Sequence, residues 1–328
     1  MDRRLSIVGG VASVAWAFAT LWSFLRRRWV SIAIRLPRVG GIVGAGEARR
    51  LKNEELLSGH FYSPIPRMSD VQRDAARLFD RWPRNVPGVD LNEKTQLDML
   101  RSISAYYPEL PFRDGPTPGR RYYFDNPMYS YSDAICLYGM MRHLKPRRLI
   151  EVGSGFSSAA ILDTNELFFG HRIACTFIDP EPDRLLGLMT PTDRDRTEVL
   201  TARLQDVPVT QFMTLEANDI LFIDSSHVVK VGSDVHHLFA EVLPALKPGV
   251  YTHFHDIFFP FEYPYAWIQD GRYWTEAYAL RAFLQFNTTF EIVFFNTYLE
   301  HFHRTEFERH MPLCLKNEGG SIWLRRTQ

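Results

Sequence analysis

The stretch Arg148–Ser158 reads RLIEVGSGFSS. Leu149, Ile150 and Val152 form a short apolar run, broken by Glu151 and closed by Gly153-Ser154-Gly155. A short apolar run bounded by turn residues predicts a buried parallel strand. Ser157, Ser158 and the following Ala159-Ala160-Ile161-Leu162 suit the first turns of a helix. Glycines in such a turn let a ligand approach the backbone, because no Cβ stands in the way. The helix start then offers its unpaired N–H groups to that ligand.

The same residues bear on the ligand's charge. A dinucleotide fingerprint asks for a third glycine at position 158, where this chain has Ser158. It also asks for an anion at the helix start, whereas Glu151 brings negative charge to the strand end. A carboxylate there suits a cationic ligand, and S-adenosylmethionine (SAM) carries an ammonium and a sulfonium with no phosphate. A phosphate ligand and a plain structural turn are the alternatives.

Working outward, apolar runs predict further strands at 172–178, 198–201, 219–223, 250–254, 290–295 and 321–325, with helices at 184–189, 234–246 and 274–286. The alternation predicts an α/β fold: a doubly wound, mainly parallel seven-stranded sheet covered on both faces. Upstream, helices are expected over 69–81, 92–104 and 133–143, and the aromatic run Tyr122 to Tyr129 reads as packing. Strands end in or near Glu151, Asp179, Asp206, Asp224 and Asp256. Ligands of such sheets sit outside the carboxyl ends of the strands. One strand-end Asp is often a turn or helix cap. Several carboxylates along one edge repel unless something cationic or hydroxyl-rich lies between them.

The segments IEVGSGFSS, CTFIDPEPDRL, DILFIDSSH and LKPGVYTHFHD resemble the class I SAM-dependent methyltransferases, in the branch called methyltransferase domain family 24. The resemblance covers residues 122–328. It implies that Glu151, Gly153, Gly155 and Ser157 hold the methionine part of SAM and Asp179 the ribose. Asp206, with Gln205, would border the adenine, and Asp224 would face the reacting methyl. It also implies a seventh strand, near Ser321, running antiparallel at the sheet edge. Metal-dependent catechol-type relatives carry Asp at the positions of Asp224 and Asp256, followed by an Asn ligand; here that position is Ile257.

A hydroxyl acceptor needs deprotonation by a base or a divalent cation. His255, Asp256 and His227 are the candidate catalytic residues, with His255 as base. Asp224 and Asp256 are candidate metal ligands, and His227 or His255 would complete the set with a softer metal. The expected activity is O-methylation of a small-molecule or glycan-like acceptor. The alternatives are a metal-dependent hydroxylase on the same fold and a non-catalytic SAM-fold module at a membrane.

Hydrophobic residues at 45% and charged residues at 23% are globular values, and a formal net charge of zero leaves no nucleic-acid footprint. The 3 cysteines, without metal spacing, fit a reducing compartment. Leu5 to Leu25 contains no charged residue and is followed by Arg26-Arg27-Arg28. Residues 1–35 therefore read as a transmembrane or membrane-anchor segment that keeps the rest on the cytoplasmic face. Residues 36–121 read as linker and helical accessory segment, and 122–328 as the SAM-binding domain.

Overall fold

A computed structural model describes residues 59, 60 and 62–328 of the chain. The expected anchor, residues 1–35, lies outside the described residues. Among the described residues no helix is long and apolar enough to cross a membrane. Contacts group the chain into two units, Met1–Arg73 and Asp74–Gln328. In the first, the described helix Met68–Arg73 carries an exposed Arg73–Asp70 ion pair at 2.9 Å. The helix expected over 69–81 is instead two short ones, Met68–Arg73 and Ala75–Phe79.

The second unit is built on a seven-stranded sheet: β1 Arg148–Val152, β2 Ala174–Ile178, β3 Glu198–Leu200, β4 Ile220–Ile223, β5 Tyr251–His255, β6 Phe290–Phe295 and β7 Ser321–Arg326. The order is β3-β2-β1-β4-β5-β7-β6. β1 to β5 run parallel, and β7 pairs antiparallel with both β5 and β6. β7 is thus inserted between β5 and β6 rather than lying at the sheet edge, which belongs to β6. The reason is its burial: Ser321, Ile322, Trp323 and Leu324 are all fully buried, as a strand flanked on both sides requires. The four residues of β4 are likewise almost wholly enclosed, in keeping with an apolar run covered on both faces.

The helix Tyr131–Leu144 is buried nearly all round, from Ala134 to Met141, so it is a core element and not an amphipathic surface one. Tyr122, Phe124 and Tyr129 are at most 2% exposed, and Phe112 meets Tyr122 and Phe124 edge to face. These aromatics pack. Residues 74–121 belong to the same unit as the sheet. The helix Glu93–Ser104 packs on β6, and Asn92 Nδ2 donates to the Ile292 carbonyl at 3.1 Å. Arg121 is buried between Asp163 (2.7 Å), Asp193 (2.6 Å) and Glu166 (2.8 Å). Position 121 is therefore a fastening, whereas the sequence suggested a boundary there. The three carboxylates offset the cost of burying the guanidinium.

Candidate active site

β1 lies between β2 and β4, so the turns after Val152, Ile178 and Ile223 share one edge of the sheet. Gly153 takes φ 79°, and a Cβ there would stand 1.9 Å from the Asp224 carbonyl oxygen. The neighbouring strand end, independently of any ligand, demands this glycine. Gly155 is different. A Cβ there would meet only the Arg184 side chain, 3.1 Å from its Cδ.

Glu151 lies beneath the turn, fully buried. The Ser157 hydroxyl donates to its Oε1 and the Ser158 hydroxyl to its Oε2, each at 2.5 Å, while the Gly155 N–H donates to Ser158 Oγ at 2.9 Å. Burial pushes the carboxyl up to about 8 against the two hydroxyls. Glu151 thus spends its two oxygens on the Ser157 and Ser158 hydroxyls, under the turn. Asp179 holds the turn from the other side: the Ser154 N–H and hydroxyl both donate to its Oδ2 at 2.8 Å, and the Glu181 N–H donates to Oδ1 at 2.8 Å.

A cleft of about 420 Å³ opens over these strand ends, lined by Gly153, Asp179, Gln205, Asp224 and Lys230 among others. Gln205 borders it, with its Nε2 donating to the Gly232 carbonyl at 2.6 Å. Asp206 does not; it is exposed and pairs with Arg203 at 2.8 Å. An exposed i,i+3 pair of this kind satisfies the carboxylate without any ligand.

Asp224 also belongs to a second group. One ligand atom each from Asp224, His227 and Asp256 lies within 4.8 Å of the others. His227 Nε2 is 3.3 Å from Asp224 and 3.5 Å from Asp256. Its Nδ1 is 2.8 Å from Glu276 Oε2, and the ring of Trp274 packs on the imidazole at 4.3 Å. Burial opposes charge on His227, but hydrogen bonds to Asp224 and Glu276 outweigh it and push the imidazole up to about 10. Burial raises Asp224 too, yet His255 and His227 hold it below the ordinary carboxylate range.

His255 is the last residue of β5, and Asp256 follows with φ 56°, so strand alternation no longer separates the pair. His255 Nε2 lies 3.5 Å from Asp256 Oδ1, and its Nδ1 is buried without a hydrogen-bond partner. The imidazole packs on Tyr129, ring centres 5.1 Å apart. The fold thus brings His227, Asp224 and Asp256 together and sets His255 beside Asp256. Glu276, Ser225 and Trp274 are site residues that the sequence reading missed. Glu276 and Trp274 follow no strand, and none of the three belongs to a spacing pattern.

Residues 150–257 match the methyltransferase domain family. An uncharacterized protein of Archaeoglobus fulgidus is 34% identical over 165 residues, 49% of this chain and 74% of that one. Among solved structures, the SAH-bound methyltransferase PaMTH1 of Podospora anserina is similar over 79% of this chain and 96% of its own, at 12% identity and TM-score 0.42. The O-methyltransferase TomG of Streptomyces achromogenes, solved with SAM and involved in tomaymycin synthesis, is similar over 80% and 96%, at 14% identity and TM-score 0.39. The match to the methyltransferase domain family covers the segment that holds most of β1 and all of β2 to β5.

Proposed function

We propose that the chain transfers the SAM methyl group to a hydroxyl of a small-molecule or glycan-like acceptor, at a site that holds a divalent cation. The carrying observation is the double position of Asp224, which lines the cleft and is also one of the Asp224–His227–Asp256 group. A donor whose ribose hydroxyls rest on Asp179 would reach Asp224 with its other end. Gln205 would border the adenine.

The residues fit a cation. Two carboxylates and one imidazole converge, and with Nδ1 held by Glu276 it is Nε2 that would ligate once an incoming ion displaces its proton. Ile257 is buried and offers no ligand atom, so His227 supplies the third. A mixed nitrogen and oxygen set suits Mn²⁺, Fe²⁺ or Zn²⁺ better than Mg²⁺. Such an ion would lower the pKa of a bound hydroxyl and orient it. Asp224, His227 and Asp256 would hold it, while Trp274 covers one face of the imidazole. His255 is buried with its Nε2 3.5 Å from Asp256 Oδ1 and stands outside the Asp224–His227–Asp256 group, which favours a supporting charge over the role of base.

Methyl transfer from labelled SAM to a panel of phenolic, sugar and amine acceptors tests this reading. Hydroxyl acceptors should be methylated, EDTA should abolish the transfer, and one divalent cation should restore it. Transfer that resists EDTA and survives His227→Ala would remove the cation from the account. Transfer to amines alone would remove the hydroxyl. Bound iron without SAM affinity would point to the hydroxylase alternative.

A further inference from the structure

Glu276 begins the helix Glu276–Leu284 and is fully buried, 49 residues from His227 in sequence. A buried carboxylate is costly unless it is paired and hydrogen-bonded. This one has partners on both oxygens: the Ser225 hydroxyl donates to Oε1 at 2.9 Å, and His227 Nδ1 lies 2.8 Å from Oε2. Ser225 Oγ in turn accepts from the His227 N–H at 3.0 Å. The His227 carbonyl accepts the N–H groups of Thr275 and Glu276 at 2.9 and 3.0 Å. Backbone and side chain therefore lock the segment after β4 to the start of this helix. His227 itself takes φ 59°, a left-handed conformation that a non-glycine residue keeps only when its surroundings hold it there.

We infer that Glu276 is a positioning residue: it keeps the proton of His227 on Nδ1 and aims Nε2 at Asp224 and Asp256, which gives the proposed cation centre its nitrogen ligand. The inference rests on the cation reading above. A histidine ligand that donates its other N–H to a carboxylate is fixed in tautomer and ring orientation, and loss of such a partner typically costs 10–100-fold in metal affinity. A carboxylate-only site would lack this dependence.

The test is calorimetric titration of Mn²⁺, and separately Mg²⁺, into the full chain and into Glu276→Gln. The glutamine keeps the shape and one acceptor but loses the charge. Mn²⁺ binding should weaken by about 10–100-fold, Mg²⁺ binding far less, and SAM affinity should stay near that of the unaltered chain. In a His227→Ala background the Glu276→Gln effect should vanish, because the two act as one unit. Equal Mn²⁺ affinity with and without Glu276→Gln overturns the inference alone. No Mn²⁺ binding by the unaltered chain overturns the cation reading and the inference together. Should Glu276→Gln not fold, the unaltered protein loaded with Co²⁺ decides. One paramagnetically shifted, slowly exchanging imidazole N–H resonance is expected, and its absence overturns the inference.

Discussion

At the residue scale, the two glycines of the opening turn separate by cause. Gly153 has φ 79° and would drive a Cβ into the Asp224 carbonyl oxygen, so Gly153→Ala should destabilise the fold by more than about 2 kcal/mol in denaturant unfolding. Gly155→Val should stay folded, because its Cβ meets only a movable arginine side chain, and should lose SAM affinity severalfold in calorimetry. A stable Gly153→Ala, or a Gly155→Val with unchanged affinity, would contradict that division. Sequence alone marks both positions as glycine and cannot say which neighbour excludes a side chain. Asp179 and Asp224 were legible because strand ends face the ligand edge of such sheets. Glu276 was not, since its partner His227 is brought to it only by the path of the chain after β5.

At the scale of the element, β1 and its turn carry a buried acid that couples the site to pH. Burial raises the Glu151 carboxyl to about 8, above its ordinary value of 4.5. Below 4.5 both folded and unfolded chains hold this proton. Between 4.5 and 8 only the folded chain does, so stability falls as pH rises, by up to about 1.4 kcal/mol per pH unit from this group. Above 8 the loss is complete. Glu300, raised by burial to about 8 as well, acts in the same direction, so Glu151→Gln should remove only part of the slope. Urea unfolding at pH 5 to 8 checks this, and parallel pH profiles for the two proteins would refute it. The strands themselves were readable from their apolar runs, because central strands are enclosed on both faces. The place of β7 was not, since an antiparallel strand inserted between β5 and β6 and one laid at the edge are written with similar residues.

At the scale of the whole molecule, composition and strand–helix alternation made the α/β class legible. The extent of the sheet-bearing unit was not. Arg121 looks like an unremarkable basic residue in an extended connector, and its burial among Asp163, Glu166 and Asp193 depends on contacts distant in sequence. The run Leu5–Leu25 and the arginines after it make a separate prediction. The chain with residues 1–40 should sediment with membranes and resist a high-salt wash, and without them it should remain in the supernatant. Release by salt alone would indicate attachment through the arginines instead. The central claim, that the cleft over β1, β2 and β4 holds SAM with its ribose on Asp179, is tested most directly by calorimetric titration of SAM into the unaltered chain, Asp179→Ala and Asp183→Ala. The account predicts binding by the first, a loss of about 1–3 kcal/mol for Asp179→Ala, and little change for Asp183→Ala, whose side chain does not line the cleft. Absence of SAM binding by the unaltered chain, or equal losses at the two positions, would contradict it.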